Sequence, residues 1–287
     1  MRISEVKLRE LRERMEKERK ELNEFYAAQL NALTSATERA ITSSHAATGV
    51  DAGSRRYWAS VIFIKLCTTS VSILWLCPES RLNQDGTHWD YASIATLTRN
   101  LLECALQFFY FCIEPIGDEE WNVRLRVMQL HDCTERSRMF QAYDSNYPQL
   151  AGFAQQADEL RDILQTNTFF RSLRAKLQKT LLKGERSGIL TQDEILARMG
   201  RASTTIRGYY RFLSSQSHPF PLGFYRTGEH NRGRGEENRV DKGYIAHALG
   251  FCTDTLKRST DDFQKTFADI VSFPTRPFDW NVMRRRL

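Results

Sequence analysis

Cysteine, proline and lysine are all scarce in this chain, and each scarcity removes a class of protein. Six cysteines stand among 287 residues (Cys67, Cys77, Cys104, Cys112, Cys133 and Cys252), and no two have a zinc or haem spacing. Most fall inside apolar helical patterns, so they read as reduced core thiols of a cytoplasmic protein and not as a disulfide scaffold. No HExxH and no carboxylate cluster offers metal ligands, and no strand precedes the glycine-rich segment as a phosphate-binding loop requires. Neither a metal nor a cofactor is expected. No apolar stretch follows Met1, so no export signal is expected. The most apolar run, Trp58 to Leu76, is interrupted by Lys65, Thr68, Thr69, Ser70 and Ser72. It reads as a buried helix, and no membrane is expected as a partner.

Lysine is the scarcer cation, with 10 Lys against 31 Arg at a formal net charge of +6. Guanidinium groups favour planar, bidentate contact with phosphate or carboxylate, so the balance leans towards a polyanionic partner. Seven prolines leave long uninterrupted stretches, and no segment alternates apolar and polar residues with the period of a strand. With 41% hydrophobic residues, the chain can build a sizeable core without staples. The expected fold is all-α, a bundle of about five to eight helices.

Residues 1–48 read as an amphipathic helical arm. Leu8, Leu11, Met15, Leu22 and Phe25 mark its apolar face, and Glu13–Lys17 and Glu16–Lys20 are pairs in the favourable order. Glu18 and Gln29 interrupt its heptads, so the arm is expected to pack one face on the body or on a second subunit. Residues 49–270 read as the bundle, with a hinge at Gly49 and Gly53 and helices over Tyr57–Leu76, Trp89–Ile113, Asp118–Tyr143, Leu150–Leu182, Asp193–Met199, Ser203–Ser217 and Tyr244–Ile270. Five glycines from Gly223 to Gly243 predict a mobile surface loop. Residues 271–287 form a basic tail ending in Arg284, Arg285 and Arg286.

Two polar stripes break the apolar pattern. On the central helix Thr96, Arg99, Glu103 and Gln107 fall at i, i+3, i+7 and i+11. Arg99 precedes Glu103, the weaker order for an i,i+4 pair, so the line either holds a structural ion pair or borders a cavity. On the helix from Ser203, Arg207, Arg211, Ser214 and His218 share a face, with Tyr210 beside them. Guanidinium, hydroxyl and imidazole together suit phosphodiester cleavage: an imidazole can take a 2′-hydroxyl proton, and a guanidinium can stabilise charge on phosphorus. The same His218 falls where Pro219 and Pro221 stop the helix, a place where imidazole also serves as a cap.

Arg99-x3-Glu103 together with Tyr210-x2-Leu213-Ser214-x3-His218 resembles a family of uncharacterised bacterial all-helical proteins. More distantly the chain resembles the HEPN superfamily, helical bundles that often dimerise and include metal-independent endoribonucleases of toxin and phage-defence systems with an Arg-x4–6-His motif. That spacing occurs five times here, and Tyr210, Ser214 and Pro219 single out Arg211/His218. The resemblance implies RNA as partner and a homo-oligomer. It assigns His218, Arg211, Glu103 and Arg99 to catalysis, and Tyr210, Ser214 and Arg207 to substrate binding; Arg232-Gly-Arg234-Gly resembles a fragment of an RGG segment, which adds Arg232 and Arg234 as substrate contacts or else forms a solvated turn. The rival expectation is a non-enzymatic adaptor, with a buried Arg-Glu-His network and a protein partner on the N-terminal helix, and a third is a helical pocket for a nucleotide or other small anion.

Overall fold

The longest helix, α1 (Glu5–Ala46), changes character halfway along. Up to Glu24 most of its side chains are exposed, whereas Tyr26, Leu30, Leu33, Ala36 and Ala40 are buried. Arg9–Glu13 and Arg14–Glu18 are its close ion pairs, and Lys17 and Lys20 face Glu21 and Glu24 instead of the expected Glu13 and Glu16. Exposed pairs of this kind differ by only a few tenths of a kcal/mol, so order alone does not choose between them. This computed structural model describes residues 5–51, 53–201, 204–218, 221–225, 229–274, 278 and 280, the side chains of residues 8, 205, 222 and 230 excepted. The expected helix start at Ser203, the stop at Pro219 and the Arg284–Arg286 tail lie outside them.

Among the described residues the chain is all-α, and the only β pairings are the isolated bridges Ser80–Asn83 and Trp89–Gly235. It divides into two units, residues 1–113 with 203–287, and residues 114–202. The first unit holds α1, α2 (Gly53–Leu76), α3 (Tyr91–Phe108), α9 (Thr204–Ser217), α10 (Pro221–Phe224) and α11 (Arg239–Phe267). The second holds α4 (Asp118–Tyr143), α5 (Leu150–Thr166), α6 (Thr168–Ser172), α7 (Ala175–Leu182) and α8 (Gln192–Arg198).

In the first unit α11 runs alongside α1 in the same direction. Arg239 pairs with Glu18, and Gln264 Nε2 donates to Ser43 Oγ, both 221 residues apart in sequence. Between these ends a Cβ at Gly243 would meet Leu22 at 3.9 Å and one at Gly250 would meet Gln29 at 2.7 Å. The two glycines therefore face the heptad-spaced Leu22 and Gln29, and the polar Gln29 that interrupts the apolar seam sits where α11 has no side chain. Trp280, beyond α11, is buried and its indole N–H donates to Glu38, which fastens this part of the tail to α1.

The core lies where α3 meets α2, α9 and α11, with Phe63, Leu66, Leu101, Phe108, Leu249 and Phe263 all fully buried. Asp90 caps α3 by accepting from Ser93 N at 3.0 Å. The helix therefore starts at Tyr91 and not Trp89, and a π-helical turn, Phe109–Ile113, replaces its last expected α-turn. One helix among the described residues, α2, is long and apolar enough to cross a membrane. Its Ala59, Phe63, Leu66, Ile73 and Leu74 are buried in the unit, and Tyr57, Val61, Ile64 and Trp75 are exposed.

The second unit corrects the single helix expected over Leu150–Leu182. Asn167 takes an extended conformation and accepts from Phe170 N, which ends α5 and starts α6. Leu173 and Arg174 are likewise extended and separate α6 from α7. A capping box of Thr191 and Glu194 opens α8. Arg124 on α4 is fully buried between Glu120 and Glu114, with Nη1 2.7 Å from Glu114 Oε2. Arg198 on α8 holds the other oxygen of Glu114 at 2.6 Å.

Candidate functional site

The two polar stripes meet where α9 packs on α3. Arg99 Nε donates to Glu103 Oε1 at 3.0 Å, and Arg99 Nη2 donates to the Tyr210 hydroxyl at 3.2 Å. Tyr210 in turn donates to Glu103 Oε1 at 2.6 Å. The guanidinium also lies against the Tyr210 ring, with Cζ 5.2 Å from its centroid. On its far side Arg99 Nη1 is 3.3 Å from His218 Nε2. A guanidinium can only donate, so Nε2 is the accepting nitrogen in this contact.

Arg99 therefore stands between a carboxylate and phenol on one hand and an imidazole on the other, over a sequence distance of 119 residues. Its side chain is 23% exposed and that of Glu103 is 43% exposed, which leaves the cluster open to an incoming group. Burial and the hydrogen bond to Glu103 raise the Tyr210 pKa above its ordinary value. Burial opposes the charge on Arg99, but the bonds to Tyr210 and Glu103 outweigh it and hold its pKa above the usual arginine value.

A glycine lies against the end of α9 that carries His218. A Cβ at Gly223 would sit 2.3 Å from the Ser215 carbonyl oxygen, so only glycine lets α10 fold back this closely on α9.

The other expected site residues fall elsewhere. Arg207 and Arg211 are exposed on α9. The Ser214 hydroxyl donates to the Tyr210 carbonyl at 2.8 Å, so its proton is engaged inside its own helix. Thr96 likewise bonds Ala92 O, and Gln107 is exposed.

Arg232 and Arg234 border a separate cavity. The surrounding segment is not the free loop expected from its glycines. Trp89 N–H donates to Gly235 O at 2.9 Å, Gly233 N–H donates to buried Asp241, and α11 begins at Arg239 behind an Asn238 cap. Trp89 is distant in sequence, and Asn238 and Asp241 act through the start of α11, which is why composition alone read the segment as mobile.

All six cysteines are buried free thiols. Burial pushes Cys67, Cys112 and Cys252 up to about 12, so none of the three supplies a thiolate at neutral pH. His247, read as packing, contacts the Phe25 ring at 5.2 Å. Among the described residues no group of three His, Cys, Asp or Glu is placed to hold a metal ion.

No curated protein and no solved structure matches the chain. One family model does, over residues 56–235, a span that contains Arg99, Glu103, Tyr210, His218, Arg232 and Arg234. That span is more than half of the sequence, and the chain belongs to DUF5677, a family of unknown function.

Proposed function

We propose that this protein binds RNA and cleaves it without a metal ion at the Arg99–Glu103–Tyr210–His218 cluster. The observation that carries the reading is the 3.3 Å contact of the Arg99 guanidinium with the accepting nitrogen of His218, on a face open to solvent. A phosphodiester that takes the donors of Arg99 releases Nε2 beside the ribose. His218 then accepts the 2′-hydroxyl proton and the 2′ oxygen attacks phosphorus. Arg99 offsets the charge gathering on the non-bridging oxygens. The bond to the 5′ oxygen breaks, and that oxygen takes the proton from His218. The products are a 2′,3′-cyclic phosphate and a 5′-hydroxyl end.

Glu103 and Tyr210 position Arg99 in this scheme, and Arg207 and Arg211 extend the cationic face for the strand on either side. The resemblance to HEPN ribonucleases adds support, and with it a toxin or phage-defence setting.

A second reading has its own observation: the bonds of Arg99 and Tyr210 fasten α3 to α9, as a purely structural clip in an adaptor would. Glu103→Gln separates the two. On the enzymatic reading, thermal melts shift by less than about 1 kcal/mol because the pair is partly exposed, while RNA cleavage falls at least about tenfold. A loss of several kcal/mol with no RNA phenotype favours the clip.

A further inference from the structure

The cavity bordered by Arg232 and Arg234 has a volume of about 590 Å³, within the ~300–1,000 Å³ range of small-molecule sites. One wall is aromatic. Tyr91, Phe212 and Tyr244 pack together with ring centroids 5.1 to 5.9 Å apart. Arg232 and Arg234 lie on the segment that the Gly235–Trp89 bond and Asp241 hold in place, and Arg232 Cζ is 5.2 Å from the Tyr244 ring centroid. Gln216 of α9 also lines the space.

Two polar groups here lack the partners that buried groups ordinarily have. The Tyr91 hydroxyl is buried in a residue only 6% exposed and has no hydrogen-bond partner, and neither has Arg232 Nε. Asp241 approaches Arg232 Nε only to 3.7 Å, its other oxygen being taken up by Gly233 N–H and the Asn238 amide. Burial drives the Tyr91 pKa well above its ordinary value, so its hydroxyl keeps its proton and remains a donor. An orphaned buried donor is unfavourable, and a small shift of the side chain towards a ligand that accepts from it recovers that cost.

From these features we infer that the cavity is a nucleotide-binding site. The base lies against the Tyr91–Phe212–Tyr244 wall, where the Gln216 amide, and the Tyr91 hydroxyl after a small shift of its ring towards the cavity, meet its polar edge, and the phosphate is held by Arg232 and Arg234. Neither an aromatic wall without cations nor a cation pair without rings would select this class. The chemistry is shared by a free mononucleotide and by one unstacked nucleotide of single-stranded RNA. Ala92, at the cavity, and Arg99 are seven residues apart on one helix, roughly 10 Å of rise, so a strand engaged here also reaches the Arg99–His218 cluster. The site itself does not depend on cleavage.

The test is calorimetric titration of the full chain, and of its His218→Ala variant, with AMP, GMP, CMP and UMP, a single-stranded RNA hexamer, inorganic phosphate alone and adenosine alone. Saturable binding of at least one nucleotide, tighter than either half alone, is expected in both proteins. Preference for the hexamer over every mononucleotide identifies RNA as the source, and the reverse identifies a free nucleotide. Tyr91→Phe should weaken binding about tenfold while leaving the unliganded melting temperature equal or higher, because it deletes an unpartnered hydroxyl. Arg232→Gln should weaken it by more. No saturable nucleotide binding, binding of phosphate alone as tight as any nucleotide, or unchanged affinity in both variants overturns the assignment. Absence of RNA cleavage leaves this result unaffected.

Discussion

Arg124→Met should cost the unit of residues 114–202 about 3–5 kcal/mol, the largest stability effect of any single substitution considered for this protein. Arg124 is fully buried, its guanidinium is shared between Glu120 and Glu114, and Glu114 is shared in turn with Arg198. Taking away the central cation removes this ion pair from Glu120 and takes from Glu114 the guanidinium that faces its Oε2. Equilibrium urea melts, followed with amide exchange in α4, measure the loss. A change below about 1 kcal/mol would show that the network contributes little.

The same network makes the unit acid-sensitive. Burial disfavours charge on Glu114, but the bonds to Arg198 and Arg124 outweigh it and hold the carboxyl below its ordinary value of 4.5. A lowered carboxyl pKa means that the unfolded chain takes up the proton first. The stabilisation is therefore complete above about pH 4.5 and disappears as pH falls through the lowered folded value. Melting midpoints of α4 between pH 7 and 3 should show this decline in the wild type, and Arg124→Met should flatten it.

Arg99→Lys carries the second large effect, on activity. Lysine keeps the positive charge but has a single nitrogen where arginine presents three to Glu103, Tyr210 and His218. It cannot hold the phenol, carboxylate and imidazole at once, nor offer a phosphate two parallel donors. Cleavage of RNA should fall about 10²–10³-fold, the range for removing a transition-state donor. Stability should change by less than about 1 kcal/mol, since the site is partly exposed. Full activity in the lysine variant would mean that only charge matters there.

Helical spacing made much of this site legible in advance. Arg99 and Glu103 share a face because four residues make about one turn, and Tyr210, Ser214 and His218 share one for the same reason. What spacing cannot show is that the two faces meet, because the contact joins residues 119 apart through the packing of α9 on α3. Nor does spacing show where the Ser214 proton goes: helix-interior serine readily donates to the carbonyl four residues back. Glu120 and Arg124 are four residues apart on one helix, but that spacing does not show that Arg124 is buried, which depends on Glu114 and Arg198 from outside α4.

The cavity was hidden for a different reason. Its aromatic wall draws on α3, α9 and α11, and its cations sit in a segment anchored by Trp89, distant in sequence, and by Asp241 at the start of α11. Leu22 and Gln29 opposite Gly243 and Gly250 show the converse case. The interrupted heptad is visible in the sequence, and its partner becomes evident only once α11 lies beside α1.

The central claim is that Arg99 and His218 form one metal-independent ribonuclease site. The most direct test is incubation of labelled total RNA in EDTA with purified, folded wild type, Arg99→Lys and His218→Ala. The account predicts fragments ending in 2′,3′-cyclic phosphate from the wild type and at least about a hundredfold less from either variant. Equal cleavage by all three proteins, or no cleavage by a folded wild type, would contradict it.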